Sequence, residues 1–131
     1  MALKRRRPGL VYPTWEDWHY VGATDEPAFQ NSWGNLGGSY PSMAFRAREA
    51  GVVDLIGVLS RSGSSTSIIT TLPVGYRPSE LAILVCKAQP ASGVEETGVL
   101  GIQADGDIQL YSSAAQYIWF SGSFFLNTAA P

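Results

Sequence analysis

Apolar residues come in short runs along this chain, and glycine, proline, serine or threonine interrupts nearly every one. No stretch of a dozen residues keeps the three-four apolar spacing of an amphipathic helix. Gly51-Val52-Val53-Asp54-Leu55-Ile56-Gly57-Val58-Leu59 reads instead as a strand, and Ser67-Ile68-Ile69-Thr70-Thr71-Leu72 as the next. Arg61-Ser62-Gly63-Ser64-Ser65 between them reads as a plain loop. Leu81 to Lys87 is a continuous apolar run, the pattern of a strand buried on both faces. Asp105-Gly106 separates Val99-Leu100-Gly101-Ile102 from Ile108-Gln109-Leu110-Tyr111, and Asp-Gly between alternating runs predicts a hairpin. Tyr117 to Leu126 is a last, aromatic-rich strand, and shorter ones are expected near Trp18–Val21 and Phe45–Arg48. The expectation is an all-β chain, a jelly-roll-like β-sandwich of about seven to nine short antiparallel strands. Residues 1–13 form an extended arm before a single domain over residues 14–131. Asn31 to Ser42, with Gly34, Gly37, Gly38 and Pro41, reads as a long loop.

Composition adds a puzzle. A chain of 131 residues can bury roughly two-thirds of its surface as one domain. Yet only 15% of its residues are charged and 45% are apolar, a balance that excludes disorder and suggests surface hidden against other subunits. The net charge of −2 is unevenly placed, because Lys4, Arg5, Arg6 and Arg7 are four of the nine basic residues. Without them the chain is acidic, which argues against a nucleic-acid groove, while the arm itself suits contact with phosphate or, equally, docking on an acidic protein surface. No run of 18 or more apolar residues suggests a membrane span, and Pro8-Gly9 stands where a signal peptide would place its apolar segment.

Catalytic chemistry finds no constellation. Cys86 lies inside an apolar run and reads as a buried, inert thiol, and His19 has no cysteine or second histidine to share a metal with. Glu95 and Glu96 are adjacent, so on a strand they face opposite ways. Asp105 and Asp107 fit the needs of a turn. Neither a Gly-x-Ser-x-Gly elbow nor a phosphate loop occurs. No catalytic residue, metal ligand or cofactor is expected. Of the fifteen aromatic rings most belong to a core or a subunit interface. Trp33 and Tyr40, in the glycine-rich loop, are the candidates for stacking on a saccharide.

Phe29-Gln30-Asn31-Ser32-Trp33, Tyr40-Pro41, Ala44-Phe45-Arg46 and the Gly51–Leu59 strand come in that order. Thr71-Leu72-Pro73-Val74-Gly75-Tyr76-Arg77-Pro78 and Ile102-Gln103-Ala104-Asp105-Gly106-Asp107-Ile108 follow. The ordered set resembles the β-sandwich module at the C-terminal ends of many tailed-bacteriophage tail, baseplate and receptor-binding proteins. It spans about residues 28 to 126. The resemblance implies a non-enzymatic virion protein, a homotrimer at the tail or baseplate that helps attachment to a host surface, through saccharide or protein receptors. In that family the module caps a long shaft, whereas here about a dozen residues precede it, with no heptad or shaft repeat. The basic arm would then hold the module to other virion proteins. A capsid decoration protein or head fibre, cemented by the same arm, is the alternative.

Proline and glycine give the corner its shape on this reading. Pro73 and Pro78 bracket a turn between sheets with Gly75 free to take positive φ, and Arg46 and Arg77 need carboxylate or carbonyl partners beside apolar strands.

Overall fold

The computed structural model describes residues 15–48, 51–62, 68–90, 93–111 and 115–126, and the arm with Lys4, Arg5, Arg6 and Arg7 lies outside them. Within these residues the protein is all-β. Its strands are β1 (His19–Tyr20), β2 (Trp33–Asn35), β3 (Ala44–Arg48), β4 (Val52–Arg61) and β5 (Ile68–Thr71). β6 (Ala82–Gln89), β7 (Glu96–Ile102), β8 (Asp107–Leu110) and β9 (Tyr117–Phe125) follow. All pairings are antiparallel, in the order β1-β3-β4-β9-β6-β7-β8-β5, and β2 prolongs the β3 edge along β4.

β4 organises the sheet because its period of two is long and regular. Val53, Leu55 and Leu59 point into the core while Asp54 and Ser60 alternate outward. It pairs with β9 along nearly its whole length, from Val52↔Phe125 to Ser60↔Tyr117. Phe45, Met43, Leu100, Ile102, Ile108, Leu110 and Ile118 close the same single core from the neighbouring strands. Each fully buried side chain of this size contributes about 1.5–3 kcal/mol. Leu55, fully buried at the centre, therefore cannot be cut to Ala for less than about 2–5 kcal/mol.

The sheet curls until its two ends meet. The segment Ala28–Asn31, between β1 and β2, runs beside β5. Gln30 N donates to Ile69 O at 2.8 Å, Thr70 Oγ1 to Ala28 O at 2.8 Å, and Asn31 Nδ2 to Ile68 O at 2.9 Å. Asn31 and Ser32 take left-handed φ of 57° and 67°, which turns the chain from this edge into β2.

The β7–β8 hairpin forms where Asp-Gly predicts it, with a different turn. Gly106 N donates to Gln103 O at 2.8 Å and Gln103 N to Asp107 O at 2.9 Å. Gly106 alone is left-handed, at 95°, so the loop is longer than the two-residue turn in which both residues would be. Glycine is required there twice over, since a side chain would strike the Leu72 carbonyl of the proline corner. That corner docks through Leu72 N to Gly106 O at 2.8 Å, and Arg77 Nε donates to Leu72 O at 2.8 Å. Gly75 has the expected positive φ, 102°.

Three expectations are corrected. The Leu81–Lys87 run is not buried on both faces: Ala82, Leu84, Cys86 and Ala88 turn inward, while Ile83 and Val85 are 51% and 67% exposed. No second layer covers that outer face within the described residues. The Asn31–Ser42 loop contains a strand, β2, held to Arg61, Ser60 and Leu59. Arg61 is the last residue of β4, buried, rather than part of a plain loop.

Candidate functional site

Three places gather chemistry. The first is the outer face left bare by β6. Antiparallel register aligns Val58 with Trp119, Trp119 with Lys87, Val85 with Val99, and Ile83 with Gly101. The Tyr111 ring lies across Gly101, where any side chain would collide with it, and Gln103 Nε2 donates to its hydroxyl at 3.0 Å. β6 and β9 pair only over Lys87–Gln89 and Tyr117–Trp119 and then part. Their divergence opens a shallow groove of about 460 Å³ lined by Val85, Lys87, Glu95, Thr97, Trp119 and Ser121. A second groove of about 340 Å³ lies on the other side of Trp119, against Pro41, Ile56 and Val58. Trp119 thus forms a ridge between two grooves on an apolar face. The Lys87–Glu95 ion pair at 3.0 Å joins two half-exposed side chains and adds little binding energy of its own.

The second place is a polar knot around His19. Its Nδ1 lies 2.8 Å from Glu26 Oε2, and its Nε2 lies 3.0 Å from the Tyr76 hydroxyl and 3.4 Å from Glu16 Oε1. The Tyr76 hydroxyl donates to Glu16 Oε1 at 2.9 Å. The hydrogen bond to Glu26 is the main cause that raises the histidine pKa, and Glu16 adds to it against the effect of burial. Burial would raise Glu16, but the Ala47 N–H at 2.6 Å, Tyr76 and His19 together hold its carboxyl below the usual range. Burial and Glu16 push the Tyr76 hydroxyl up to about 12. Phe45 stacks on the imidazole at 5.1 Å, and Tyr76 meets it edge-on at 5.3 Å. Two carboxylates beside the imidazole favour its charged form, and burial with Glu16 keeps the Tyr76 phenol protonated. The knot ties the chain before β1, the turn after it, strand β3 and the proline corner together.

The third place pairs arginines with tryptophans. Arg46 and Arg48 on β3 share Asp54 of β4, at 3.2 Å and 2.9 Å, and Ser123 Oγ donates to Asp54 at 2.7 Å. Burial would raise Asp54, but Ser123, Arg48 and Arg46 hold it below its ordinary value. The Arg46 guanidinium is stacked 4.1 Å from the Trp18 ring centre and 4.5 Å from that of Trp15. Arg61 stands at the far end of β4, 4.6 Å over the Trp33 ring.

Of the residues singled out in the sequence, Tyr40 is half exposed, as a saccharide platform requires. Trp33 is not: it is 4% exposed because β2 folds it under the end of the sheet, so its ring is closed to a sugar. Burial pushes the Cys86 thiol up to about 11, which leaves it unreactive. Among the described residues no group of three His, Cys, Asp or Glu side chains is placed to hold a metal ion. Arg61 and the bare face of β6 went unanticipated. The signal for Arg61 was its phase, two residues beyond Leu59 on the inward face. The face of β6 had no signal, since an outward valine and an inward one read alike.

The chain matches no protein-family model, and no curated protein is similar to it in sequence.

Proposed function

We propose that this protein is a non-enzymatic structural component of a tailed-phage virion, a homotrimer at the tail or baseplate that aids attachment to the host surface. The observation that carries the assembly half of this reading is the outer face of β6, β7 and β9. Ile83, Val85 and Tyr111 are exposed on it with Val99 and Trp119 half-buried beside them, and large exposed apolar patches on soluble proteins commonly serve contact. Copies of the same chain are its occupants in this reading. A charged fraction of 15% is too low for an isolated domain surface, and the two grooves flanking Trp119 suit ring-and-aliphatic packing. The virion half rests on the ordered resemblance and on the basic Lys4–Arg7 arm of an otherwise acidic chain, which suits anchoring to an acidic neighbour.

Native mass and light scattering of the whole chain test the reading. Trimers are expected, and Val85→Asp or Ile83→Asp should give folded monomers by burying an unpaired charge in the interface. Monomers of the unaltered chain at high concentration would refute it. Labelling on particles then separates a tail location from the capsid-decoration alternative, which the same arm would serve. Saccharide binding now rests on Tyr40 alone, and a glycan array with the unaltered chain and Tyr40→Ala decides it.

A further inference from the structure

Arg61 is 6% exposed, and among the described residues only its Nε has a partner, the Ala115 carbonyl at 2.9 Å. Nη1 and Nη2, together with Nε1 of Trp33, are buried and without a hydrogen-bond partner. No carboxylate among the described residues makes an ion pair with this guanidinium. The two residues face each other across the β2–β4 ladder, and the guanidinium lies over the indole ring. β4 ends there, β2 begins there, and Arg61 N bonds to Gln116 O just before β9. The unpaired nitrogens therefore sit at one end of the sheet, where strands enter and leave, and not at its middle.

Every unpaired atom in this cluster is a donor. A buried cation with several N–H groups left without an acceptor is costly for a fold to hold. A guanidinium presents its two terminal nitrogens as a planar fork that matches two oxygens of one anion. An indole N–H close by adds a third donor of the same sign. We propose that Arg61 and Trp33 form a binding site for a small oxyanion, held bidentately by Nη1 and Nη2 with Trp33 Nε1 as the additional donor. Desolvation already lowers the affinity of Arg61 for its own proton, and an anion in this position would restore it. The site is separate from the exposed face of β6 and does not depend on the assembly reading.

The test is a titration of the whole chain in chloride buffer with sodium sulfate or sodium formate, followed by the indole N–H signals of its tryptophans in NMR. Because the donors are buried, exchange should be slow, and a second Trp33 signal should grow and saturate with one of the two oxyanions. Sulfate and formate distinguish a tetrahedral from a planar occupant. Arg61→Met should abolish the second signal while the spectrum stays dispersed. Arg61→Lys keeps the charge but loses the fork, and should lose most of the response even if Arg61→Met fails to fold. A Trp33 signal that is unchanged by both oxyanions overturns the proposal. So does a change that persists in Arg61→Lys, because it would report salt acting on the whole protein.

Discussion

The two arginine–tryptophan stacks begin from the same pairing and end differently. Arg46 lies between Trp18 and Trp15 on the outer face, with Asp54 beside it and Ser123 completing the carboxylate's bonds. Arg61 lies over Trp33 at the inward end of β4, with a carbonyl for one nitrogen and no carboxylate. Phase along the strand sets the difference. On β4, Asp54 falls on the outward set and Arg61 on the inward set, so among the described residues one guanidinium meets a carboxylate and the other does not. A cation against an aromatic ring is a modest attraction, worth about 0.5–2 kcal/mol depending on desolvation. Whether the pair is cheap or costly to the fold depends on what else meets the charge.

Substitutions should separate the two stacks by size of effect. Trp33→Ala removes a buried ring and exposes the end of the core, and should cost about 3–5 kcal/mol in urea unfolding. A loss below 1 kcal/mol would mean that β2 contributes little and that the two stacks are energetically alike. Asp54→Ala leaves Arg46 and Arg48 facing each other without a counter-charge. Its part-buried hydrogen bonds set a loss of about 1.5 kcal/mol, and replacing Arg46 with Met in the same background should recover part of it.

Acid should distinguish the stacks next. The depressed Asp54 pKa contributes stability that is fully present above the unfolded value near 3.8 and is lost as pH falls through the lower folded value. Among the described residues Arg61 pairs with no carboxylate, so its stack should give no such limb. His19 acts in the opposite direction, because its pKa is raised. Its contribution is fully present below the ordinary imidazole value of 6.5 and is lost as pH rises through the higher folded value. Melting temperature against pH should therefore fall at both ends. Asp54→Asn should flatten the acid limb and His19→Gln the other, each by about 1 kcal/mol or less for such partly exposed pairs. Trp15→Ala is the mildest change, about 0.5 kcal/mol, since that ring is half exposed and Trp18 remains on Arg46.

Strand positions were legible because alternation and turn residues are local signals. Val53, Leu55 and Leu59 announce β4, and Asp105-Gly106 announces the hairpin that follows β7. β2 was hidden because three residues among glycines carry no period, and only pairing with Arg61, Ser60 and Leu59 makes them a strand. The outward face of β6 was hidden for another reason. Ile83 and Val85 have the composition of core residues, and their exposure is decided by whether a layer lies over them, a tertiary fact. The His19 knot joins residues as far apart as Glu16 and Tyr76, and nothing local links them. The burial of Trp33 is hidden in the sequence because its glycine-rich setting resembles a surface loop, while its β-ladder partner lies twenty-eight residues away in Arg61.

The way the sheet is trimmed also limits how copies can join. Ala28–Asn31 occupies the backbone groups along β5, and the opposite margin is divided between the two-residue β1 and the three-residue β2. Neither margin offers a long, unpaired row of amides and carbonyls on which another chain could lay a strand. Growth by ribbon addition, the route to open-ended fibrils, is thereby obstructed at both sides. Among the described residues, contact with another copy is thereby left to side chains on the sheet's broad surface rather than to its margins.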